Sequence, residues 1–273
     1  MSKDPIGDRI KIKESQGVIP DEAYILARLD GRGFSKWTRG LATPFDPRLH
    51  KIFDLLTERV ARHTGAQLGY TQSDEISLYW TTDRAFFEGK SQKIASVCAA
   101  YTSVQFNQLA STHGLADRLA ASPHFDCRVW SVPTFSDVGE VFTWRFNDAV
   151  RNSAHRQARE YYSHHELHRV STRKIQRMLA ERNIVWDDRF RFGLFVRPVT
   201  VTGPIQDYEL DQLPEKHHMR TNPSMEVTRT HWSPEIVDLR SVNFTSYFGA
   251  TPRTQAVGGK SHSSTLVDAL HSS

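Results

Sequence analysis

Cysteine is nearly absent: the 273 residues hold two, Cys98 and Cys127. They lack metal-ligand spacing and lie in apolar segments, so free buried thiols in a reducing interior are expected rather than a disulfide scaffold. No run of about 18 apolar residues occurs, which leaves no candidate for a membrane-spanning helix. The opening Met-Ser-Lys-Asp-Pro is charged and has no apolar core; no signal peptide is expected, and the expected location is cytoplasmic. There is no nucleophile elbow, no Walker-type loop and no internal repeat. None of the thirteen histidines stands in a His-x-x-x-His pattern with a suitable third ligand. Charge of one sign is also weak. A formal net charge of +4, with 24% charged and 38% hydrophobic residues, describes a soluble globular chain that permits an anionic partner without demanding one. Lysine and arginine are spread along the chain, so no basic arm stands out.

What is present is a regular alternation of elements. Residues 24–29 read as a buried strand. Asp46-Pro47 opens a helix carrying Leu49, Ile52, Phe53, Leu56 and Val60 at helical spacing, and Gly65 ends it. Residues 67–71 and 76–80 predict two strands around Gln72-Ser73-Asp74-Glu75. A second helix is expected from about Lys90 to Leu109, with Ile94, Val97, Cys98, Tyr101 and Val104 on one face, and a fourth strand over 125–132. The order is β-α-β-β-α-β, so the fold class expected is α+β: a ferredoxin-like unit of the polymerase-palm type with additional helices and C-terminal strands. A third helix is expected over about 145–162, with an apolar stripe of Phe146, Ala149, Val150, Ala154, Ala158 and Tyr161. A fourth spans about 172–182, capped by Ser171 or Thr172, and strand-like segments follow at Phe192–Val201 and Met225–Trp232. Residues 1–248 read as one catalytic domain. Residues 249–273, rich in Gly, Ser, Thr and His, read as a mobile tail.

The topology carries the chemistry. In a ferredoxin-like sheet the first and third strands are central antiparallel neighbours, so the end of strand one meets the turn before strand three. Asp30 and Asp74 are thereby expected side by side. An Asp-Gly pair alone is more often a plain turn, but carboxylates paired in this way can share divalent metals, the layout of nucleotide polymerase palms and nucleotide cyclases. Glu75 follows Asp74 on the strand and should diverge from it, so it is read as a supporting catalytic residue or as the holder of a basic neighbour. Gly31 has no side chain and its carbonyl can approach a cation. Arg32-Gly33-Phe34-Ser35 can cradle a triphosphate on successive N–H groups, or serve only as a connection anchored by Phe34. Lys90 and Lys93 oppose the dipole of the second helix, a cost that a bound anion would offset and that ordinary solvated lysines would simply bear. Arg145, Asp148, Asn152, Arg156 and Arg159 repeat at helical spacing, which by patterning alone is a solvated face.

Taken together, Arg28-Leu29-Asp30-Gly31-Arg32-x-Phe34, Gln72-Ser73-Asp74-Glu75, Phe125-Asp126-x-Arg128-Val129, Trp144-Arg145-x-x-Asp148 with Asn152, and Val227-Thr228-Arg229-Thr230 resemble the tRNA-His guanylyltransferase family, which polymerises in the 3′→5′ direction. The resemblance covers roughly residues 8–232. It implies two Mg²⁺ bound by Asp30, the Gly31 carbonyl and Asp74. It further implies that residues 30–35 with Ser73 and Asp74 hold the incoming GTP, ATP or other nucleoside triphosphate, that Lys90 and Lys93 contact a triphosphate, and that Asn152 lies on the family's asparagine-bearing helix. The partner it implies is the 5′ end and acceptor stem of a tRNA, and the assembly it implies is a homo-oligomer, commonly a tetramer. Where eukaryotic members carry His-x-Asn-Asn this chain has Val150-Arg151-Asn152-Ser153, and Ser35 replaces another His. Both departures resemble the bacterial, archaeal and phage like proteins and turn the expectation from strict guanylate addition toward tRNA 5′-end repair. Two other readings share the carboxylates or the basic surface: a palm-type nucleotide cyclase or other nucleotide-product synthase without RNA, and a non-catalytic RNA-binding module.

Overall fold

A computed structural model describes residues 5–14, 19, 23–81, 86–215, 220 and 226–249. In chain order the elements are α1 (Pro5–Glu14), β1 (Tyr24–Gly31), α2 (Phe34–Trp37), α3 (Pro47–Thr64), β2 (Leu68–Gln72), β3 (Glu75–Thr81), α4 (Ser91–Thr112), β4 (Phe125–Val132), α5 (Phe135–Ala158), α6 (His164–Leu167), α7 (Thr172–Glu181), α8 (Asp188–Phe192), β5 (Leu194–Pro204), α9 (Asp207–Gln212), β6 (Glu226–Glu235) and α10 (Phe244–Phe248). The first six strand and helix pieces of the expected unit, β1-α3-β2-β3-α4-β4, form a ferredoxin-like sheet. The strand order is β4-β1-β3-β2-β5-β6, and β1 is antiparallel to both β3 and β4. The α+β expectation holds.

Local chemistry sets the boundaries. Asp46 accepts from the Arg48 N–H at 3.0 Å to cap α3, Pro47 occupies the first turn, and Gly65 closes the helix at φ 66°. In β1, Ile25, Leu26, Ala27 and Leu29 are all fully buried, because helices cover both faces of the sheet. Leu26, Trp130 and Tyr79 pack with Val138, Phe142 and Phe146 of α5. The opposite face carries Gly69, where an added Cβ would come within 3.0 Å of Thr57 on α3. Side chains alternate along a strand, so Arg28 and Asp30 share the face of Leu26 and point toward α5.

Three expectations need correction. The long helix begins at Phe135, ten residues before the expected start at Arg145, and ends at Ala158 rather than at 162. Thr134 and Asp137 form a reciprocal capping box that starts it early. Tyr161, expected on its apolar stripe, lies past the helix and is 46% exposed. On α4 the buried stripe is Ile94, Cys98, Thr102, Phe106, Leu109 and Ala110, while Val104 is 54% exposed, since it falls two residues out of step with that stripe. Phe192 belongs to α8 and not to the following strand.

Two compact units emerge. One comprises Met1–Arg197 with Pro234–Gly249 and holds the elements that the site uses. The other is described within Pro198–Ser233; there the buried Glu209 of α9 pairs with Arg229 of β6, whose guanidinium also reaches the Pro204 carbonyl at 2.9 Å. From residue 250 onward, the segment expected as a tail lies outside the described residues.

Candidate active site

The end of β1 and the β2–β3 turn meet as the topology requires. Asp30 stands directly opposite Glu75 on β3 and opposite Asp126 on β4. The turn itself is Ser73-Asp74. Ser73 takes a left-handed φ of 51°, a conformation that costs energy for a residue with a Cβ, and its hydroxyl donates to Asp74 Oδ1 at 3.0 Å. The Gly31 N–H donates to the Asp74 carbonyl at 3.0 Å, so the two acidic segments are tied by their main chains. Gly31 must also be glycine for packing: a Cβ there would fall 2.4 Å from the Phe34 ring.

The two carboxylates of the turn have different fates. Asp74 is raised above its ordinary value, first by burial and then by the charge of Asp30. Glu75 is raised by burial, opposed by Arg145 and Arg28. Arg145 Nε donates to Glu75 Oε1 at 2.5 Å and Nη2 to Oε2 at 2.7 Å, a two-pronged pair that occupies both oxygens. Arg28 stands 3.9 Å away, and Trp144 lies under both guanidiniums, 4.5 Å from Arg145 and 5.5 Å from Arg28. Arg145 also donates to Asp148 at 2.6 Å, and Asp148 pairs with Arg151. Glu75 is thus the anchor of a buried network, while Asp30 and Asp74 face open space.

That space is two adjoining cavities sharing Ser73, Asp74 and Arg156. The first, about 310 Å³, has apolar walls from Leu41, Pro44, Phe45, Leu49 and Phe53, with Gly31, Gly33, Phe34 and Ser35 along one side. Such a slot, with apolar walls and polar groups such as Thr38, Ser73 and Asp74 at its edge, suits a nucleobase and sugar. The second, about 550 Å³, is lined by Asp30, Glu75 and Asn152 together with Arg145, Arg151, Arg156, Arg159 and Arg189, a setting for phosphates. Arg32 is exposed, with Nη1 3.8 Å from Asp126, and lines neither cavity. Lys90 is the N-cap of α4 and Lys93 lies in its first turn, with Nζ 4.2 Å over the Phe87 ring; neither lines either cavity.

Sequence reasoning missed Arg151, Arg189, His50 and the 39–46 loop. It saw Arg156 and Arg159 as a solvated face, when the same helical spacing aims them at the second cavity. Nothing in the local pattern of the loop or of Arg189 marks them, since only the tertiary fold brings them to the site.

Asp30 and Asp74 fit a divalent cation. Carboxylate oxygens are the ligands that hard cations take, and a cation would relieve the burial and mutual repulsion that raise Asp74. Among the described residues no group of three or more His, Cys, Asp or Glu gathers. Water and substrate phosphates would therefore complete the shell, as is usual for Mg²⁺.

His50 lines the second cavity. It stacks on Phe45 at 4.2 Å, and burial, then Arg189, lower its pKa to about 4. A neutral buried imidazole leaves the unfolded chain to take up the proton first as pH drops, so stability is lost as pH falls from 6.5 toward 4. Replacing His50 with Phe, which keeps the stack, is expected to flatten that loss by about 2 kcal/mol, after discounting the part of the ring that water screens. Urea midpoints of the two proteins at pH 7 and pH 4.5 measure it; parallel losses would show that His50 titrates as in water.

Comparison with known proteins covers the same segment. A family profile described as tRNAHis guanylyltransferase matches residues 7–133. A tRNA(His) guanylyltransferase of Debaryomyces hansenii is 26% identical over 149 residues, 53% of this chain and 56% of that protein; the match thus spans little more than half of this curated relative. A bacterial tRNA(His) guanylyltransferase (Thg1)-like protein solved in complex with ATP superposes with a TM-score of 0.61 at 31% identity, covering 70% of this chain and 88% of that one. A bacterial like protein in complex with GTP gives 0.60 at 25% identity over 89% and 94%. Sequence and fold agree across the segment that holds β1 and the Ser73-Asp74 turn, and the chain belongs to the tRNAHis guanylyltransferase family, nucleotidyltransferases that act at the 5′ end of tRNA.

Proposed function

We propose that this protein adds nucleotides to the 5′ end of tRNA in the 3′→5′ direction, as a 5′-end repair enzyme, with two Mg²⁺ held by Asp30, Asp74 and the Gly31 carbonyl. The observation that carries the reading is that Asp30 and Asp74 meet between an apolar slot and an arginine-lined cavity. Mg²⁺ held there would supply Lewis-acid chemistry, lowering the pKa of the attacking 3′-hydroxyl and neutralising the leaving phosphates. The chain's own part is positioning and charge, so no side-chain nucleophile is required. The slot along Gly31–Ser35 receives the base and sugar of the incoming nucleotide. Arg156, which lines both cavities, bridges its phosphates to the RNA end. The RNA 5′-phosphate, activated by adenylylation with loss of pyrophosphate or already carrying a triphosphate, lies among Arg151, Arg156 and Arg159. The 3′-oxygen of the incoming nucleotide forms a new P–O bond there and AMP or pyrophosphate departs.

Val150, at the position of the eukaryotic histidine, is buried in the core among Phe142 and Phe146, and Ser35 lines the slot. An apolar side chain turned inward offers no hydrogen bond to a base. Base pairing across the acceptor stem therefore selects the nucleotide. With 5′-monophosphorylated, 5′-truncated tRNA, ATP and labelled nucleotides, changing the opposing base is expected to switch the incorporated nucleotide to its complement. The preference should be about tenfold or more, the scale of one base-pair step. Guanylate alone, on tRNA-His alone, would return the strict guanylyltransferase reading.

A further inference from the structure

A third cavity, about 460 Å³, opens where α5 ends. It joins the arginine-lined cavity at His155 and Arg159, which line both and lie one helical turn apart. Its remaining walls include His164, His168 and Arg169 around the buried Leu167. The charged and imidazole side chains that line it are all basic. Among the described residues no carboxylate pairs with Arg159 or Arg169. The nearby acids are not lining residues: Glu166 accepts from the Ser163 N–H and hydroxyl at the cavity's edge, each at 2.8 Å, and Glu160 accepts from Thr43 at 2.8 Å. Unneutralised cations and imidazoles gathered round a cleft are a receptor for anions.

The shape of the wall distinguishes one anion from another. A nucleotide needs a face on which its base can lie. Tyr162 is the one aromatic wall of the cavity other than the histidines, and Arg182 already lies over its ring at 4.4 Å while its hydroxyl donates to the Met178 carbonyl at 3.0 Å. His164 and His168 are 6.1 Å apart and tilted by 37°, not a parallel slot. Such a wall suits phosphates better than a base.

We propose that this cavity binds the phosphodiester backbone of the RNA strand whose 5′ end lies at Asp30 and Asp74, carrying it off the end of α5 toward α6. The proposal rests on the reading given under Proposed function. It makes His168 and Arg169 RNA-backbone contacts that take no part in the chemistry or in nucleoside triphosphate binding.

The test is the double variant H168A/R169A, both residues being exposed, with its urea midpoint compared with wild type. Binding of 5′-truncated tRNA is followed by fluorescence anisotropy from 50 to 200 mM salt, and ATP binding is titrated in parallel. The variant is expected to bind tRNA about five- to twentyfold more weakly, with a log–log salt slope shallower by about 0.7–0.9 for the lost arginine contact, unchanged ATP affinity and an unchanged urea midpoint. Arg169→Lys should keep the wild-type slope. Unchanged tRNA affinity and slope in the double variant would overturn the proposal. Weakened ATP binding with intact tRNA binding would make the cavity a second nucleotide site and overturn it too. Failure of the wild-type protein itself to bind tRNA would instead overturn the functional reading beneath it.

Discussion

Asp74→Asn is expected to abolish nucleotide addition while leaving the metal-free protein as stable as wild type or slightly more so. The loss of activity should reach about three orders of magnitude, the rate equivalent of the several kcal/mol that a catalytic metal supplies. The stability side follows from the same carboxylate. Burial and the neighbouring charge of Asp30 raise Asp74 above its ordinary 3.8. An acid raised in the fold costs stability once pH is above its folded value, and the cost fades as pH falls back toward 3.8. A neutral amide of the same shape removes the cost, so the gain belongs at pH 7 and disappears in acid. Addition assays with Mg²⁺, beside urea unfolding in a chelator, read both halves. Near-wild-type addition by Asp74→Asn would remove this residue from the metal site.

Arg145→Ala is expected to do the opposite: to damage the fold before the chemistry. Glu75 and Arg145 are both buried and grip each other through two hydrogen bonds. Truncating the arginine leaves the Glu75 carboxylate in the core with only Arg28, 3.9 Å away. Breaking one side of such a pair costs about 3–5 kcal/mol, which for a chain of this size lowers the melting temperature by about 10 °C. The double change Glu75→Gln with Arg145→Met should recover part of that loss, because the Glu75 carboxylate is no longer stranded, although Arg28 gives up its ion pair with it. Thermal melts of the wild type, Glu75→Gln, Arg145→Met and the double variant form the cycle, with Arg145→Ala measured beside them. If Arg145→Ala melted within a degree or two of wild type, the pair would be structurally idle.

The topology and the position of Asp30 against Asp74 were legible because they follow from element order alone: β-α-β-β-α-β permits few arrangements, and two apolar strands flanking Gln72-Ser73-Asp74-Glu75 name the turn. The cap at Asp46 and the stop at Gly65 were equally local. The arginine wall was half legible. The spacing from Arg145 to Arg159 put these residues on one face of a helix, but a helix does not announce what it faces; that depended on α5 lying over the sheet face that carries Arg28 and Asp30. The early start of α5 was missed because Phe135–Trp144 mixes Gly139 and β-branched residues with apolar ones, and its capping box at Thr134 was overlooked. Arg189 and His50 came to the site from distant segments, through contacts such as Arg189 with Asp54 at 2.7 Å, which no window of sequence contains. Lys90 and Lys93, at the start of α4, line neither cavity.

The tie between the Gly31 N–H and the Asp74 carbonyl has a consequence for how such a site drifts over time. Both partners are main-chain atoms, so almost any side-chain replacement nearby leaves the bond in place, and a bacterial like protein at 31% identity keeps the same fold. Length is another matter. One residue gained or lost in β1, β3 or the two-residue turn would shift the pairing, and in a sheet a shift of one turns every later side chain to the opposite face. Asp30 would then look toward α3 and α4 instead of the cavities. What is inherited at this site, beyond Asp30, Gly31 and Asp74 themselves, is therefore a count of residues, tolerant of spelling changes around them and intolerant of insertions.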